Sequence, residues 1–560
     1  MQAAPADELT SPLLPRWLVV VCAVLWIAVG LFGREPFKPD EAYTVGLVKS
    51  IVDTGDWVVP RLVGEPFMEK PPLFFGVAAL FAKALPWLPL HEAARFAVVL
   101  FVGIGLLAIG RCARAVYGAG TGRLAVLLTL ATLGTVVRMH QLITDTALFA
   151  GVALALLGLV RAPQARVLAG VQLGAGLAIA FLAKGLLGPG LVACSALALL
   201  AFEPWRQRAM LKTAAVALLV ALPPVAAWLV TLAIGSPEQL HVWFWDNNVG
   251  RFLGQNDLGP KKDLLFYFHT LIWYALPCWP LALWGLRRAA PGAERIGRTP
   301  LLVFLAVGVA ILTLASDGRE LYALVLVPAF AVLATGGLLH LPIGLERRVA
   351  LALATLWILV STGSLLVWIA ALGMPGLTAR LPASVALPSM VAPSATAMIV
   401  YAITAGFLLA ALTTLRRPVR GTLPLAGAAG IALVWASFVL PWDSYLDALK
   451  GYRSVALDVG SHLPPATCVA SQGLGEGERS LLDYYIGLRT QRLETDPTAQ
   501  WCQALLVQAR REAARRDDPG STLVWEGARP GSDSSVMRLY QRVPGRVTAA
   551  AAAGAAGVVR

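Results

Sequence analysis

Apolar runs about 20 residues long recur along most of the chain, and this repetition restricts the fold more than any other feature. A helix needs roughly 20 mostly apolar residues to cross the hydrocarbon core of a bilayer. Hydrophobic residues make up 57% of the 560 residues and charged residues only 14%, which excludes the class of soluble globular proteins. The sequence therefore predicts an all-α polytopic membrane protein.

The apolar runs predict about thirteen transmembrane helices. They lie at residues 17–33, 95–116, 121–137, 144–161, 166–184, 186–202, 210–233, 265–286, 299–315, 320–342, 347–372, 392–415 and 422–440. A further apolar stretch, Pro72 to Leu90, is interrupted by Lys83, Pro86 and Pro89. Because these residues disfavour a continuous span, we expect this stretch to form a re-entrant or interfacial helix.

Lysine and arginine concentrate in every second loop between these runs. The basic residues are Arg111, Arg114, Arg123, Arg161, Arg166, Arg206, Arg208, Lys212, Arg287, Arg288, Arg295, Arg298, Arg347, Arg348, Arg416, Arg417 and Arg420. Short basic loops stay in the cytoplasm, so we expect a bacterial inner-membrane protein whose opposite loops face the periplasm. The same bias explains most of the net charge of +13 without nucleic acid. The first run is expected to be a signal anchor.

The chain is expected to divide into a transmembrane part, a small outer domain and a tail. The transmembrane part covers residues 1–440 and carries an outer loop at 34–94, while residues 441–543 predict a soluble periplasmic α/β domain. Within that domain "YLDALKGYRSVALDVGSHL" has helical apolar spacing, and "TCVASQG", "STLVWEG" and "VMRLYQRV" are typical of short strands. The alanine-rich tail, 544–560, predicts disorder.

Two of the six cysteines fall in the outer domain. The other four lie in or beside predicted spans and are expected to be packing residues: Cys22, Cys112, Cys194 and Cys278. An oxidising compartment would permit a bridge between Cys468 and Cys502, but the spacing leaves bridged and free forms equally open. No Cys/His spacing is typical of a zinc finger or a catalytic metal cage.

The segment after the first run, "KPDEAYTVGLVKSIVDTGDWVVPRLVGEPFMEKPP" at residues 38–72, is rich in charges and proline. Pro39 and Asp40 indicate a helix N-cap, and the valine spacing that follows predicts a short amphipathic helix lying flat on the outer membrane surface. On this stretch alone, Asp40 could be only a cap and Glu41 only an acid favoured by the helix dipole.

Further polar residues are predicted at the same outer level. Asp145 in "RMHQLITDTALF", Lys184 in "FLAKGLLGPG", and Arg319 and Tyr322 in "SDGRELYALVLVP" all fall at the outer ends of spans. Ionisable groups at membrane depth are costly and usually line a cavity. With the Glu69–Lys70 pair they supply acids for proton transfer and cations for a phosphate, which a phosphate-linked lipid substrate would need.

These motifs resemble the GT-C glycosyltransferases, specifically the aminoarabinose-transferase and protein-mannosyltransferase group. The resemblance is carried by "PDEAY", "TGDWVVPRLVGEPFMEKPP", "TDTALF", "FLAKG", "VWFWDNNVGRFLG" and "RELYALVLVPAFAVL", which together fall between about residues 17 and 340. It implies transfer of a sugar, such as 4-amino-4-deoxy-L-arabinose or a hexose, from a polyprenyl (undecaprenyl) phosphate carrier, with inversion and without a nucleotide. The implied acceptor is lipid A, a glycan or a protein outside the membrane.

The resemblance also implies roles for individual residues. Asp40 is the candidate base or acceptor-orienting acid, with Glu41 in support, and Lys70, Arg251 and Tyr322 are candidates for the donor phosphate. The supporting set comprises Glu69, Asp145, Lys184, Arg319 and Tyr43. No cofactor is required for this chemistry, although Glu69 and His241 could meet around a divalent ion, zinc or magnesium.

One departure from the family pattern concerns the acceptor. Transferases that act on lipid A typically read Asp-Glu-Ala-Arg-Tyr, whereas this chain reads Asp40-Glu41-Ala42-Tyr43-Thr44. The missing cation would help to hold a phosphorylated acceptor. A hydroxyl acceptor would need Asp40 as a true base, but a lipid A phosphate would not.

Three other classes remain open. A ligase for diphosphate-linked glycans should have a larger arginine-rich outer loop, and the predicted loop 373–391 offers only Arg380. A membrane transporter should show an inverted repeat or paired broken spans, which the sequence does not. A surface sensor would leave the clustered ionisable residues without a purpose.

The arginine bias makes the topology testable with reporter fusions. We expect fusions after Ala162, Arg208, Arg288 and Arg417 to report the cytoplasm, and fusions after Gly64, Asp257 and Ser461 to report the periplasm. A cytoplasmic signal at Ser461 would remove one span and contradict the outward orientation of the predicted site.

Overall fold

The computed structural model describes residues 13–255, 260–288, 293–373, 393–417, 419–464, 467–515, 520–529, 532 and 534–542. The predicted loop 373–391, apart from Gly373, and the predicted disordered tail at 544–560 lie outside the described residues. The described chain is mainly helical, and a small sheet lies near its C-terminus.

The first third of the chain is mainly helical, with a short hairpin in the outer loop. Its elements are α1 (Arg16–Ala28), α2 (Asp40–Thr54), β1 (Arg61–Leu62), β2 (Glu65–Pro66), α3 (Leu73–Ala84), α4 (Leu90–Ala94), α5 (Phe96–Tyr117), α6 (Gly122–Leu130), α7 (Thr135–Arg138), α8 (Asp145–Arg161) and α9 (Arg166–Lys184). Strands β1 and β2 form an antiparallel hairpin inside the loop.

The middle of the chain continues as helices. They are α10 (Leu187–Leu199), α11 (Glu203–Arg206), α12 (Met210–Gly235), α13 (Pro237–His241), a π-helix (Val242–Gly250), α14 (Arg251–Leu253), α15 (Phe266–Tyr274), α16 (Cys278–Arg288), α17 (Ala293–Leu314), a 3₁₀ helix (Glu320–Leu326), α18 (Val327–Leu339), α19 (Ile343–Gly373), α20 (Ala395–Leu412), a 3₁₀ turn (Thr413–Arg416) and α21 (Thr422–Val439).

Eight helical stretches in the described chain are long and apolar enough to cross a membrane. The chain is therefore a multi-pass membrane protein. Helix α8 has 17 residues, and α1 and α10 have 13 each, so the total of thirteen spans stays a prediction. Helix α3 has only 12 residues, which is short for a span.

Three of the predicted spans are interrupted. The run at 121–137 divides into α6 and α7, and the run at 265–286 divides into α15 and α16 at Leu276–Pro277. Proline disfavours the helical conformation of the residue before it, which explains the second break. The run at 320–342 begins as a 3₁₀ helix before α18.

Small residues let α8 and α9 pack with their backbones in close approach. A Cβ atom at Gly151 would lie 2.7 Å from the carbonyl oxygen of Gly176, and one at Gly158 would lie 2.8 Å from that of Ala169. Close packing of this kind is the usual role of glycine between membrane helices. It matters for the site because Asp145 begins α8 and Lys184 ends α9, so both side chains emerge at the same end of the helix pair.

The outer domain is a five-stranded mixed sheet covered by helices. Its elements are α22 (Asp443–Lys450), α23 (Arg453–Ser461), β3 (Val469–Gln472), α24 (Glu476–Ile486), β4 (Gln491–Arg492), a 3₁₀ turn (Pro497–Trp501), β5 (Ala504–Arg510), β6 (Ser521–Gly527) and β7 (Ser535–Arg542). The strand order is β4-β3-β5-β7-β6. Strand β3 is parallel to β4 and β5, whereas β7 is antiparallel to β5 and β6.

The sequence patterns located β3, β6 and β7 correctly but missed β4, β5 and α24. The predicted single helical stretch after Ser444 is two helices, α22 and α23. Helix α24 is the element that contacts the outer loop: Ser480 Oγ donates to the carbonyl oxygen of Ala42 at 2.7 Å, and Lys38 forms an ion pair with buried Glu478. The outer domain therefore packs directly on α2.

This contact buries α2 on more than the one apolar face that its spacing predicted, while its position flat on the membrane surface stays a prediction. Ten of its residues, from Glu41 to Ile51, are buried, because α3 lies on one side and α24 on another. Gly46 faces Ser480 so closely that a Cβ atom would lie 2.1 Å from its hydroxyl oxygen. The helix is thus an internal element between the membrane part and the outer domain.

Cys468 and Cys502 form a disulfide that joins the start of β3 to the residue after the 3₁₀ turn. We expect denatured, unreduced protein to expose two fewer thiols than reduced protein, when thiols are counted with a chromogenic reagent. The loop closed by the bridge spans 34 residues, for which loss of the bridge should destabilise the outer domain by about 2–4 kcal/mol. Six free thiols before reduction would contradict the bridge.

Candidate active site

A cavity of about 500 Å³ lies where the outer loop meets the outer ends of the membrane helices. Eight of the ten residues predicted for the site line it: Asp40, Glu69, Lys70, Asp145, Lys184, Arg251, Arg319 and Tyr322. They come from the outer loop, α2, α8, α9, α14 and the segment around the 3₁₀ helix Glu320–Leu326. Residues separated by up to 282 positions in the sequence, Asp40 and Tyr322, therefore share one cavity.

Arg251 is held at the centre of a cluster of oxygens. Its Nη1 donates to Glu69 Oε1 at 2.8 Å, and its Nη2 lies 2.9 Å from Asp317 Oδ2. The hydroxyl of Tyr322 donates to the same Asp317 oxygen at 3.0 Å. Two carboxylates and a phenol thus fix the guanidinium plane. Because the charge of Arg251 is paired with carboxylates, it is not left as an unpaired buried charge.

Lys184 and Asp145 form a second ion pair in the cavity wall. The Lys184 ammonium also lies 4.6 Å from the ring centroid of Tyr322, which is cation–π distance. Both side chains of the ion pair are largely buried, so each one neutralises the other at a depth where a single charge would be costly. The sequence predicted only that Asp145 and Lys184 lie at the outer ends of their spans, and the structure places both in the cavity wall.

A chain of hydrogen bonds connects Lys70 to Asp40 through Tyr43. Lys70 Nζ donates to the Tyr43 hydroxyl, and that hydroxyl donates to Asp40 Oδ1 at 2.8 Å. Lys70 is buried beside Glu69, with Nζ 3.8 Å from Glu69 Oε1. Tyr43 does not line the cavity itself, and its hydroxyl connects the Lys70 side chain to that of Asp40.

The structure corrects the prediction that Asp40 is the N-cap of α2. The cap position is Pro39, which makes no side-chain hydrogen bond to the helix, and Asp40 is the first helical residue. The Asp40 side chain accepts from Tyr43 and lines the cavity instead of closing the helix end. A carboxylate in the first turn is still favoured by the helix dipole, but its hydrogen bond points away from the backbone.

Glu41 does not line the cavity, and its predicted role in support of Asp40 stays a prediction. Its two oxygens accept from Arg34 at 2.6 and 2.8 Å and from the amide of Leu142 at 3.0 Å. Arg95 lies 3.8 Å away. Burial alone would raise the pKa of Glu41, but the two arginines outweigh it and bring the pKa down to about 2. Glu41 is a structural anchor of α2.

Glu69 is ionised in the same way and is not free to bind a metal. Burial would raise its pKa, but the charges of Lys70 and Arg251 lower it to about 2. His241 is exposed at the end of α13 and does not line the cavity. Among the described residues no group of three or more His, Cys, Asp or Glu side chains could hold a metal ion. The contacts of Glu69 and His241 therefore do not fit the metal site considered from the sequence.

Asp317 and Asn248 are among the residues of the cavity wall that the sequence analysis missed. Asp317 is buried and binds both Arg251 and Tyr322. It lies two residues before Arg319 in the motif "SDGRELY", and this closeness to a predicted site residue is the sequence signal that could have identified it. Asn248 accepts from the amide of Leu186 at 3.1 Å, and Gly185 has φ +74° where a Cβ atom would lie 2.6 Å from Asn248 Oδ1. Glycine is required there, and this contact connects the motifs "FLAKG" and "DNNVG".

The remaining wall of the cavity is apolar. Leu187, Leu191 and Cys194 of α10 face Ile311 and Leu312 of α17. The charged residues and this apolar wall belong to one continuous cavity, so it can accommodate a molecule with an ionic head and a hydrocarbon tail.

Comparison with known proteins agrees with this arrangement. Residues 69–230 match the family model described as dolichyl-phosphate-mannose-protein mannosyltransferase. The undecaprenyl phosphate-α-4-amino-4-deoxy-L-arabinose arabinosyl transferase of Pseudomonas aeruginosa (strain LESB58) is 29% identical over 297 residues, which are 48% of this chain and 52% of that protein. The transferase of the same description from Aeromonas salmonicida is 24% identical over 296 residues, 51% of each chain. The match spans about half the length of these curated relatives.

Two solved structures share almost the whole architecture. ArnT from Cupriavidus metallidurans bound to undecaprenyl phosphate superposes with a TM-score of 0.69 at 18% identity, over 93% of this chain and 97% of that one. Its apo form gives a TM-score of 0.66 at 17% identity over the same shares. The chain has the GT-C fold. The resemblance to the aminoarabinose-transferase and protein-mannosyltransferase group, predicted from the motifs, is confirmed.

Loss of charge at the adjacent acids Asp40 and Glu41 should have different effects on the stability of the protein. Glu41→Gln leaves Arg34 and Arg95 buried without a full counter-charge, which should destabilise the protein by about 3–5 kcal/mol. Asp40→Asn should leave stability near that of the wild type. The measurement is thermal unfolding of purified protein in detergent.

The pH dependence of folding stability is a second test of the contact between Glu41 and the two arginines. Because the folded pKa of Glu41 is about 2 and its ordinary value is 4.5, its stabilisation is complete above about pH 4.5 and is lost as the pH falls towards 2. Glu41→Gln should flatten this part of the stability profile. Equal unfolding temperatures for wild type and Glu41→Gln at pH 7 would contradict the anchor role.

Proposed function

We propose that this protein is an integral membrane glycosyltransferase that transfers a sugar from a polyprenyl-phosphate carrier to an acceptor on the outer side of the membrane. The observation that carries the proposal is one cavity with a cluster of ion-paired charges at its outer end and an apolar wall between α10 and α17. A polyprenyl phosphate has the same division, with a charged phosphate joined to a long hydrocarbon chain.

The charges of the cavity support a donor with a single phosphate. Four carboxylates and four cations line it, so the formal charges cancel. Three cations already contact carboxylates: Arg251 contacts Glu69 and Asp317, Lys70 contacts Glu69, and Lys184 contacts Asp145. The Arg319 side chain makes no ion pair within the described residues. One available cation suits the single negative charge of a phosphodiester better than a diphosphate, which weighs against the ligase alternative.

The proposed reaction places the phosphate near Lys70, Arg251 and Arg319 and the acceptor near Asp40. As the bond from the sugar to the phosphate breaks, negative charge grows on the departing phosphate, and fixed cations stabilise that charge most effectively in a water-poor site. Alignment of the acceptor on the opposite face of the sugar carbon accounts for inversion. The chemistry proposed for these residues uses protein groups alone and requires no cofactor.

The orientation, sugar and acceptor are also proposals. The arginine bias of alternate loops supports a periplasmic cavity and outer domain in a bacterial inner membrane. The names of the matched relatives support undecaprenyl phosphate-linked 4-amino-4-deoxy-L-arabinose as a donor, and a hexose remains the second candidate sugar. The acceptor is lipid A, a glycan or a protein.

A binding test uses a thiol that the chain itself provides. Cys194 lines the apolar wall and is the one exposed free cysteine, since Cys22, Cys112 and Cys278 are buried and the remaining two are bridged. We expect undecaprenyl phosphate to protect Cys194 from a lipophilic maleimide in nanodiscs, with labelling measured by intact-protein mass spectrometry. Lys70→Ala should weaken this protection about 10- to 100-fold, because the phosphate loses a charged hydrogen-bond donor.

Lys83→Ala is the matched control, since Lys83 is an exposed lysine of the same outer loop that lies 5.3 Å from the Trp57 ring and does not line the cavity. It should keep wild-type protection. In a reconstituted transfer assay, Asp40→Asn should retain protection but lower the rate by about 10²–10⁴-fold. The proposal fails if undecaprenyl phosphate leaves Cys194 fully reactive, or if Asp40→Asn and Lys70→Ala both transfer sugar at the wild-type rate.

A further inference from the structure

Tyr43 and the pairing of the cavity cations bear on the chemistry of the acceptor. We propose that the acceptor group is a hydroxyl and not a phosphate, and that Tyr43 is the positioning residue that presents Asp40 to it as a base. This inference rests on the proposed function and specifies the acceptor class of the same site.

The first argument is the supply of positive charge. A phosphorylated acceptor would bring a second anion into a cavity that also holds the donor phosphate. Lys184 is paired with Asp145, and Arg251 is fixed by Glu69 and Asp317. Arg319 is the remaining cation without an ion pair among the described residues that line the cavity. The donor phosphate is placed near Arg319, with Lys70 and Arg251 beside it. A second phosphate would therefore find no cation that is free of an ion pair among the described residues that line the cavity, and it would stay unpaired at high cost.

The second argument is the geometry of Tyr43. Its ring is buried against Phe67, with centroids 5.4 Å apart, and Lys70 Nζ lies 4.8 Å from its centroid. Since Lys70 can only donate, the Tyr43 hydroxyl accepts from it and must direct its own proton to Asp40 Oδ1. The Tyr43 hydroxyl proton is therefore used in the bond to Asp40, and the Asp40 carboxylate is held through Oδ1.

The other oxygen of Asp40 is left for the acceptor. Oδ2 makes no hydrogen bond with any residue that the structure describes, although Asp40 lines the cavity. An oriented carboxylate with one unoccupied oxygen can accept the proton of a hydroxyl group. A phosphate monoester already carries between one and two negative charges at neutral pH, so it can attack without a base, and its negative charge would be repelled by the same oxygen. The arrangement is useful for a hydroxyl and unfavourable for a phosphate.

The reaction step is balanced without a further reactant. The acceptor oxygen forms a bond to the anomeric carbon while the bond from that carbon to the carrier phosphate oxygen breaks. The hydroxyl proton moves to Asp40 Oδ2, and the electron pair of the broken bond leaves on the phosphate. The negative charge gained by the phosphate equals the charge lost by Asp40, so the cavity keeps its overall charge.

The linkage in the product distinguishes the two acceptor classes. A sugar on a phosphate is a glycosyl phosphodiester, which mild acid cleaves, whereas a sugar on a hydroxyl is a glycoside that survives the same treatment. Lipid A, envelope glycans and glycoproteins from cells with and without this gene are compared by mass spectrometry before and after mild acid. Phosphorus-31 NMR of the affected fraction reports whether a new phosphodiester has formed.

We expect a gene-dependent mass increment that survives mild acid, with no new phosphodiester signal, and the fraction that carries it identifies the molecule bearing the hydroxyl. An acid-labile increment with a new phosphodiester would overturn the hydroxyl inference while leaving glycosyl transfer intact. The absence of any gene-dependent sugar increment in all three fractions would instead overturn the proposed function, and the inference with it.

The role of Tyr43 is tested with Tyr43→Phe in full-length protein, using the acceptor fraction identified above. Loss of the hydroxyl should lower kcat about 10- to 100-fold with little change in the KM for the donor.

Tyr484→Phe is the control, since it also removes a largely buried hydroxyl with a 2.8 Å hydrogen bond, to His91 in the outer loop, but lies outside the cavity lining. It should keep the wild-type kcat and the wild-type KM for the donor. A Tyr43→Phe protein with unchanged kcat would overturn the positioning role, even if its thermal stability falls.

Discussion

The ion pair between Glu41 and the two arginines, Arg34 and Arg95, is the contact on which the outer part of the structure depends. It fixes the first turn of α2 to the chain segment before it and to the junction of α4 and α5, and the Leu142 amide joins it to the loop before α8. Because all three charges are buried, the arrangement is stable only as a set. Asp40 is the neighbouring residue, so its position in the cavity follows from this contact.

The cavity shows how opposite charges can be kept at membrane depth without making the protein unstable. Each acid is placed where it limits the cost of a cation: Asp145 for Lys184, and Glu69 and Asp317 for Arg251. The close packing of α8 and α9 at Gly151 and Gly158 belongs to the same arrangement, since it sets the distance between the helix ends. The ion pair between Asp145 and Lys184 therefore depends on the close packing of the helices that carry them.

Local patterns in the sequence predicted much of the site but could not rank its members. The charge-rich motifs identified Asp40 and Lys70 because ionisable residues beside membrane spans are unusual, whereas Arg251 was predicted from the family resemblance. Glu41 belongs to the same motif as Asp40, and only the long-range contacts with Arg95 and Leu142 distinguish an anchor from a cavity residue. Asp317 and Asn248 were missed because each binds a residue distant in the chain: Asp317 binds Arg251, 66 positions away, and Asn248 binds Leu186, 62 positions away. Span ends were predicted well where the helices are continuous and poorly where Pro277 divides one.

The docking of the outer domain on α2 also has a consequence for the order in which the protein matures. Lys38 and Glu478, which meet in a largely buried ion pair, are separated by 440 residues, so the first helix of the site is synthesised long before the helix that covers it. Until the outer domain has folded onto α2, the face of α2 that this domain buries stays exposed and its neighbours are not fixed. Contacts of such long sequence separation form late. The part of the cavity wall that α2 supplies is therefore completed only after the outer domain has docked.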